Sequence, residues 1–363
     1  MKERECIPRI GRREFLARTA GAILGSGLPG VFPKIVRARL ATPQDAPPSV
    51  IVASGTNDDS PASLLKAALD GLGGIERFVR PGHVVAIKPN ATWAYPPGTA
   101  SSTDPELLRA LILMVREAGA RRIIVMDHCS IDPGAEACLR VSGIGPVLDQ
   151  LSVETVFPDR HFASKGVYTD IGLPQGQVFP RIGVIRAATA ADLRINMAVA
   201  KSHLVTRCTM CLKNMMGFLE VPSALHVDLN RGIAEINSPS AIQAQLHILE
   251  AIRVRLPGVR HQAGGAETET THPEKIKRLN QVVAGTDPVL IDSYGSLRYF
   301  AVEPRELPFI TRAFDARLGE MDPDLAAILG RLRLVGVERP AREEARGWTG
   351  RSRRGSPPSH QPA

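Results

Sequence analysis

Between Lys201 and Gly217 the chain reads KSHLVTRCTMCLKNMMG, which sets two lysines, a histidine, a Cys-x-x-Cys pair and an amide within one short stretch. Three chemistries suit those residue types. His203, Cys208 and Cys211 supply three soft ligands, fitted to zinc, copper or an iron–sulfur centre, although no fourth ligand is visible. The thiols could instead form a redox pair, because a helix start lowers thiol pKa. The plainer reading, which leads, makes both cysteines small core residues beside Leu212 and Met215. From Thr206 the pattern turns helical with Gly217 as its stop, so Cys208 and Cys211 are expected on one helix face at i, i+3.

The lysines favour another chemistry. Lys88, Lys201 and Lys213, with Asn214 and His203, make an electropositive pocket whose point charges and amide donors suit a carboxylate or phosphate. His203 is the candidate acid or base near neutrality, with Asp127 to orient or ionise it and Lys201 completing the catalytic set. Lys88, Asn90, Lys213 and Asn214 are the candidate ligand contacts. The glycine clusters SGIGPV and GLGGIE do not join a strand to a helix, so neither supports nucleotide binding. His-Glu-x-x-His and Gly-x-Ser-x-Gly are absent, which lowers zinc-protease and serine-hydrolase readings.

Residues so far apart in the chain need a frame to meet. Apolar β-branched runs at 49–54, 83–90, 121–128, 181–186, 193–199, 246–252, 281–285 and 331–337 read as strands, and helix-patterned runs separate most of them. Asp104-Pro105-Glu106 is a strong helix start, with a capping acid and proline in the first turn. Strands apolar on nearly every residue, alternating with helices, predict an α/β fold with a largely parallel sheet covered on both faces. Residues 160–180, rich in glycine and proline, read as a surface excursion or part of a small second lobe, and 264–274 as a polar loop. In such sheets ligands bind at the carboxyl ends of the strands. Lys88 and Asn90, Asp127 and His128, and Lys201 and His203 all follow strands at that edge, and the loop 91–103, with Trp93 and Tyr95, leaves from the same edge to cover a site.

The 363 residues carry a net charge of +8, but it sits at the ends. Residues 1–38 carry +5 and residues 339–363 carry +4, which leaves the body at −1. With aromatics at only 4%, no nucleic-acid surface is expected. The basic tail 339–363 lacks apolar periodicity and reads as disordered.

The start, GRREFLARTAGAILGSGLPG, resembles a twin-arginine export signal: Arg12 and Arg13 are the pair, and Phe15 and Leu16 follow at the expected spacing. Its apolar stretch is too polar to be a stable membrane span. Cleavage is expected near Ala38 or Ala41, followed by a Pro-rich linker at 42–48 and a domain over 49–338. The twin-arginine translocation machinery is then a partner, and Cys129, Cys138, Cys208 and Cys211 reach an oxidising periplasm.

The blocks VVAIKPN, STDPELLRAL, RRIIVMDH, INMAVAKSHLVT…CLKNMMG and VVAGTDPVLIDSYG, in that order over roughly 49–340, together resemble the family catalogued as domain of unknown function 362. Lys-x-His with Lys-Asn-x-x-Gly is its most distinctive signature. The resemblance implicates Lys88, Asn90, Asp127, Lys201, His203, Lys213, Asn214, Asp287 and Asp292, and has Glu250 where the family tends to place Asp. It brings no agreed activity. Some members carry ferredoxin-type cysteine runs, which this chain lacks, so a built-in electron relay is not expected. The reading is an exported α/β protein that binds a small anion at the sheet's carboxyl edge, with turnover left open. Its rival is a non-catalytic periplasmic metal or redox assembly factor working through Cys208 and Cys211.

Overall fold

The first strand, β1 (Val50–Ser54), is fully apolar up to its last residue and buried along almost its whole length. It belongs to a computed structural model that describes residues 49–129, 132–158, 166–173, 176–259, 267–321, 328 and 331–337. The export-signal region and the basic tail lie outside the described residues, all of which fall in one compact unit.

The strands that follow are β2 (Val84–Lys88), β3 (Arg122–Met126), β4 (Glu154–Val156), β5 (Tyr168–Gly172), β6 (Arg181–Ile185), β7 (Leu193–His203), β8 (Arg207–Thr209), β9 (Leu246–Arg255), β10 (Ile276–Gly285) and β11 (Arg333–Gly336). The main sheet runs β11-β1-β10-β9-β7-β2-β3-β4, with β8 folded back on β7. Every pairing among β9, β7, β2, β3 and β4 is parallel, whereas β10 is antiparallel to both β9 and β1. The sheet is therefore mixed and mostly parallel. Helices α1 (Pro61–Gly71), α2 (Pro105–Glu117), α3 (Ala135–Ser142) and α4 (Ile144–Gln150) pack on one apolar cluster. The other face carries a second cluster under α5 (Arg186–Thr189), α6 (Cys211–Asn214), α7 (Leu229–Ile236), α8 (Pro288–Phe300) and α9 (Pro308–Asp315). Buried apolar side chains on both faces explain why the central strands have no alternating pattern.

Asp104 caps α2 as expected, its Oδ1 accepting from the amides of Glu106 at 2.9 Å and Leu107 at 3.3 Å. The Gly/Pro-punctuated segment ends in the β5–β6 hairpin, which packs Tyr168, Ile171 and Ile182 against the second cluster. Among the described residues no helix is long and apolar enough to cross a membrane.

One element differs from the sequence reading. The chain after Thr206 is not helical at once: β7 extends to His203, turns, and returns as β8, pairing Lys201 with Thr209 and His203 with Arg207. The turn is closed by Arg207 in the left-handed region, φ 63°, and by Thr206 Oγ1 donating to Cys208 O at 2.9 Å. Only then does the short α6 begin, continued by a 3-10 turn at Met215–Phe218. Cys208 thus lies on a strand and Cys211 on a helix, not at i, i+3 of one face.

Candidate anion site at the carboxyl edge of the sheet

Lys88 is the last residue of β2, where Pro89 stops the ladder, and Asp127 follows the last residue of β3. Because β2 and β3 are parallel neighbours, both side chains emerge at one edge, and they meet in an ion pair at 2.7 Å with each side chain about 1% exposed. Asp127 is held further by the amides of Ala91 at 2.7 Å and His128 at 2.9 Å. Its partner is Lys88 rather than His203, so the expected Asp127–His203 couple does not form. Burial lowers the pKa of Lys88 despite the attraction of Asp127.

Lys201 reaches the same edge from β7 and is also buried. Its ammonium donates to Asn90 Oδ1 at 2.8 Å and to Ser101 O at 2.5 Å. Asn90 passes the network on, donating to Asn214 Oδ1 at 2.8 Å, and Asn214 donates to Asn196 Oδ1 at 2.7 Å. Asn196 in turn donates to Cys211 O at 2.9 Å. Loop 91–103 is tied down by Asn90 N donating to Thr103 Oγ1 at 2.8 Å and Thr103 N donating to Asn90 O at 2.9 Å. The cover expected from that loop is present, with Trp93 in the wall.

These elements enclose a cavity of about 330 Å³ lined by Lys88, Asn90, Asp127, His128, Lys201, His203, Lys213 and Asn214, among others. All seven residues proposed from sequence as catalytic or ligand-binding therefore converge on one space. Lys88, Asn90, Asp127, Lys201 and Asn214 already spend bonds on one another or on the backbone. Lys213 does not: among the described residues no acceptor meets its ammonium. Burial and the neighbouring Lys88 charge lower its pKa to about 8, so it is mostly protonated at neutral pH. Burial first, and then Lys213 and Arg255, hold Lys201 well below the usual lysine range.

His203 departs from the expected neutral-range titration. Burial, with Lys213 and Lys201 nearby, pushes its pKa down to about 3, so the ring stays uncharged. Its Nδ1 accepts from the amides of Val205 and Thr206, each at 3.2 Å, which places the ring proton on Nε2. His203 is therefore a neutral donor rather than an acid–base switch.

The candidate metal trio does not assemble. Cys208 and Cys211 have no exposure, belong to the second apolar cluster and do not line the cavity that His203 lines. Burial and the Asp292 charge push both thiols up, away from the thiolate a metal needs. Among the described residues no group of three or more His, Cys, Asp or Glu could hold a metal ion. Asp292 instead caps α6, accepting from the amides of Cys211 at 2.8 Å and Leu212 at 3.0 Å. Asp287 caps α8 through Leu290 N at 2.8 Å. The two aspartates implicated by resemblance are thus structural. Cys208→Ser with Cys211→Ser is expected to cost about 1–3 kcal/mol of stability and to leave anion binding unchanged. Most of the loss arises at 208, since Asp292 already accepts from the thiol of Cys211. Urea denaturation and anion titration of one protein sample check both halves.

Sequence reasoning missed Asn196, the buried His247 and the wider role of Glu250. Glu250 accepts from Asp104 N at 2.7 Å, and burial raises its pKa to about 8, so it is neutral under the Lys201 side of the site. Asn196 and His247 stand opposite each other on β7 and β9, 3.1 Å apart. The signal was present: a polar residue inside an otherwise apolar buried strand must find a partner.

A family model described as Domain of unknown function (DUF362) matches residues 85–296. A thylakoid-associated protein of Synechocystis sp. is 30% identical over 271 residues, 73% of this chain and 76% of that protein. The solved lactate racemase apoprotein from Thermoanaerobacterium thermosaccharolyticum superposes with a TM-score of 0.38 and 14% identity over 67% of this chain and 55% of that one. A solved Thermotoga maritima protein gives 0.31 and 12% over 52% and 50%. The chain spans about half the length of these two solved structures.

Proposed function

We propose, for a chain that belongs to the DUF362 family, that the cavity at the carboxyl edge of its sheet binds a small anion, a carboxylate or a phosphate. The observation that carries this reading is Lys213, a mostly buried cation facing a polar cavity in which the other lysines are already engaged. An ammonium withdrawn from water without a counter-charge is costly, and an anion in the cavity offsets that cost. The neutral His203 adds an N–H donor through Nε2. With Asp127 locked to Lys88 and His203 held neutral, the arrangement favours binding over proton transfer. Calorimetric titration of the protein with acetate and with inorganic phosphate tests the reading. One saturable site for either anion supports it, and no heat from both defeats it.

The same proposal includes export. The Arg12-Arg13 pair with Phe15 and Leu16 supports passage through the twin-arginine machinery to the periplasm. Changing both arginines to lysine is expected to leave the precursor in the cytoplasm, because the guanidinium pair is what is read. Unchanged periplasmic protein after cell fractionation would overturn that part alone.

A further inference from the structure

The cavity that holds Lys213 is the smaller of two at this edge. A second, of about 680 Å³, shares Trp93, Lys201 and His203 with it. Several polar groups lining the larger space are already committed. Arg207 pairs with Glu306 at 2.6 Å, Arg255 donates to Ser101 Oγ at 2.6 Å, and Ser202 Oγ donates to Leu256 O at 3.0 Å. Apart from Lys201 and His203 at the wall shared with the smaller cavity, what the described lining leaves to meet a ligand is apolar: Leu204, Pro257, Phe300 and Val302, with Trp93 at the shared wall. Leu204, on the turn between β7 and β8, is 98% exposed. A cationic cavity thus adjoins a hydrophobic one, and a leucine stands in water beside the second. A free inorganic anion fills only the first.

We infer that the ligand is an amphiphilic anion, with a carboxylate or phosphate head at Lys213 and an apolar tail of several carbons in the larger cavity. This rests on the anion-binding reading and adds the class of molecule. Charge complementarity fixes which end goes where: the head needs a cation without an acceptor, and the tail needs a space whose polar groups are spoken for.

The test is a chain-length series by calorimetry on the full chain: acetate, butanoate, hexanoate and octanoate, with methyl to octyl phosphate in parallel. Each buried methylene is worth ~0.8 kcal/mol, so affinity is expected to rise about fourfold per added carbon until the cavity is full. A slope in the carboxylate arm or in the phosphate arm supports the inference and identifies the head. Leu204→Ser and Phe300→Ser should flatten the slope while acetate or methyl phosphate binds as before. Leu204 is fully accessible, so its variant folds even if the Phe300 one does not. Lys213→Ala should weaken every member of the responding series. Binding with a flat series in both arms overturns the amphiphile and leaves the anion site standing. A slope untouched by both the Leu204 and Phe300 variants overturns the placement of the tail. No binding in either arm overturns both readings together.

Discussion

Lys213→Ala is expected to weaken acetate or phosphate binding by about tenfold or more while leaving the melting temperature unchanged or slightly raised. A hydrogen bond to a charged group contributes on the order of 1.5–3 kcal/mol, and ~1.4 kcal/mol is a factor of ten in affinity. Stability should not suffer, because the lysine makes no bond among the described residues and carries a desolvated charge. The pH dependence gives an independent signature. Lys213 loses its proton near pH 8, so wild-type affinity should fall as pH rises through about 8, and the alanine variant should lack that step. Stability of the unliganded protein moves the other way. The unfolded chain holds the lysine proton up to about 10.4, the folded chain only to about 8, so this residue makes the fold more stable as pH rises across that window. Calorimetry at pH 7 and pH 9 on both proteins decides it: an unchanged affinity in the variant removes Lys213 from the site.

Gly217→Ala is expected to be the most damaging small substitution at the site. A β-carbon there would overlap Asp127 Oδ1 and stand 2.6 Å from both Cε and Nζ of Lys88. Neither side chain can yield cheaply, since Asp127 is fixed by two backbone amides as well as by the lysine. Forcing a buried ion pair apart costs about 3–5 kcal/mol, so the urea midpoint should fall steeply and anion binding should go with it. A Gly217→Ala protein destabilised by no more than ~1 kcal/mol, an ordinary effect for a point substitution, would mean that the 3-10 turn shifts freely and the close approach is incidental.

Gly217 also marks where sequence reading stopped. Read as a helix stop, it is in fact the residue that lets the turn after α6 lie against the Lys88–Asp127 pair. Nothing local announces that contact, because its partners are about 90 and 129 positions away. The sheet was easier: unbroken apolar strands and the Asp104-Pro105 start predict parallel strands and α2, and their carboxyl ends place Lys88, Asp127 and Lys201 together. The β7–β8 hairpin was not legible, since its short return strand carries a cysteine and a threonine that suit a helix as well as a strand. That miss propagated to the cysteines, whose supposed shared helical face depended on it. The neutral state of His203 was equally hidden: Lys201 stands two residues away in sequence, but the burial and the Lys213 charge that weigh more come from the fold.

The position of β1 has a consequence for how the molecule is made. Its neighbours are β10 and β11, with Val50 opposite Gly285 and Ile51 opposite Arg333. The first strand to leave the ribosome therefore waits for nearly the last, and pairings of such long sequence separation form slowly because the intervening chain must be gathered first. A product cut short before β10 would retain β2, β3, β7 and β9 as a parallel group but leave β1 with no strand beside it. On the proposed export route, the segment carrying Arg12 and Arg13 is joined in sequence, through a Pro-rich linker, to a strand whose place in the sheet requires the chain as far as β11. Whether that strand is docked is then a report, carried close in sequence to the address itself, that the sheet has been assembled through its last described strands.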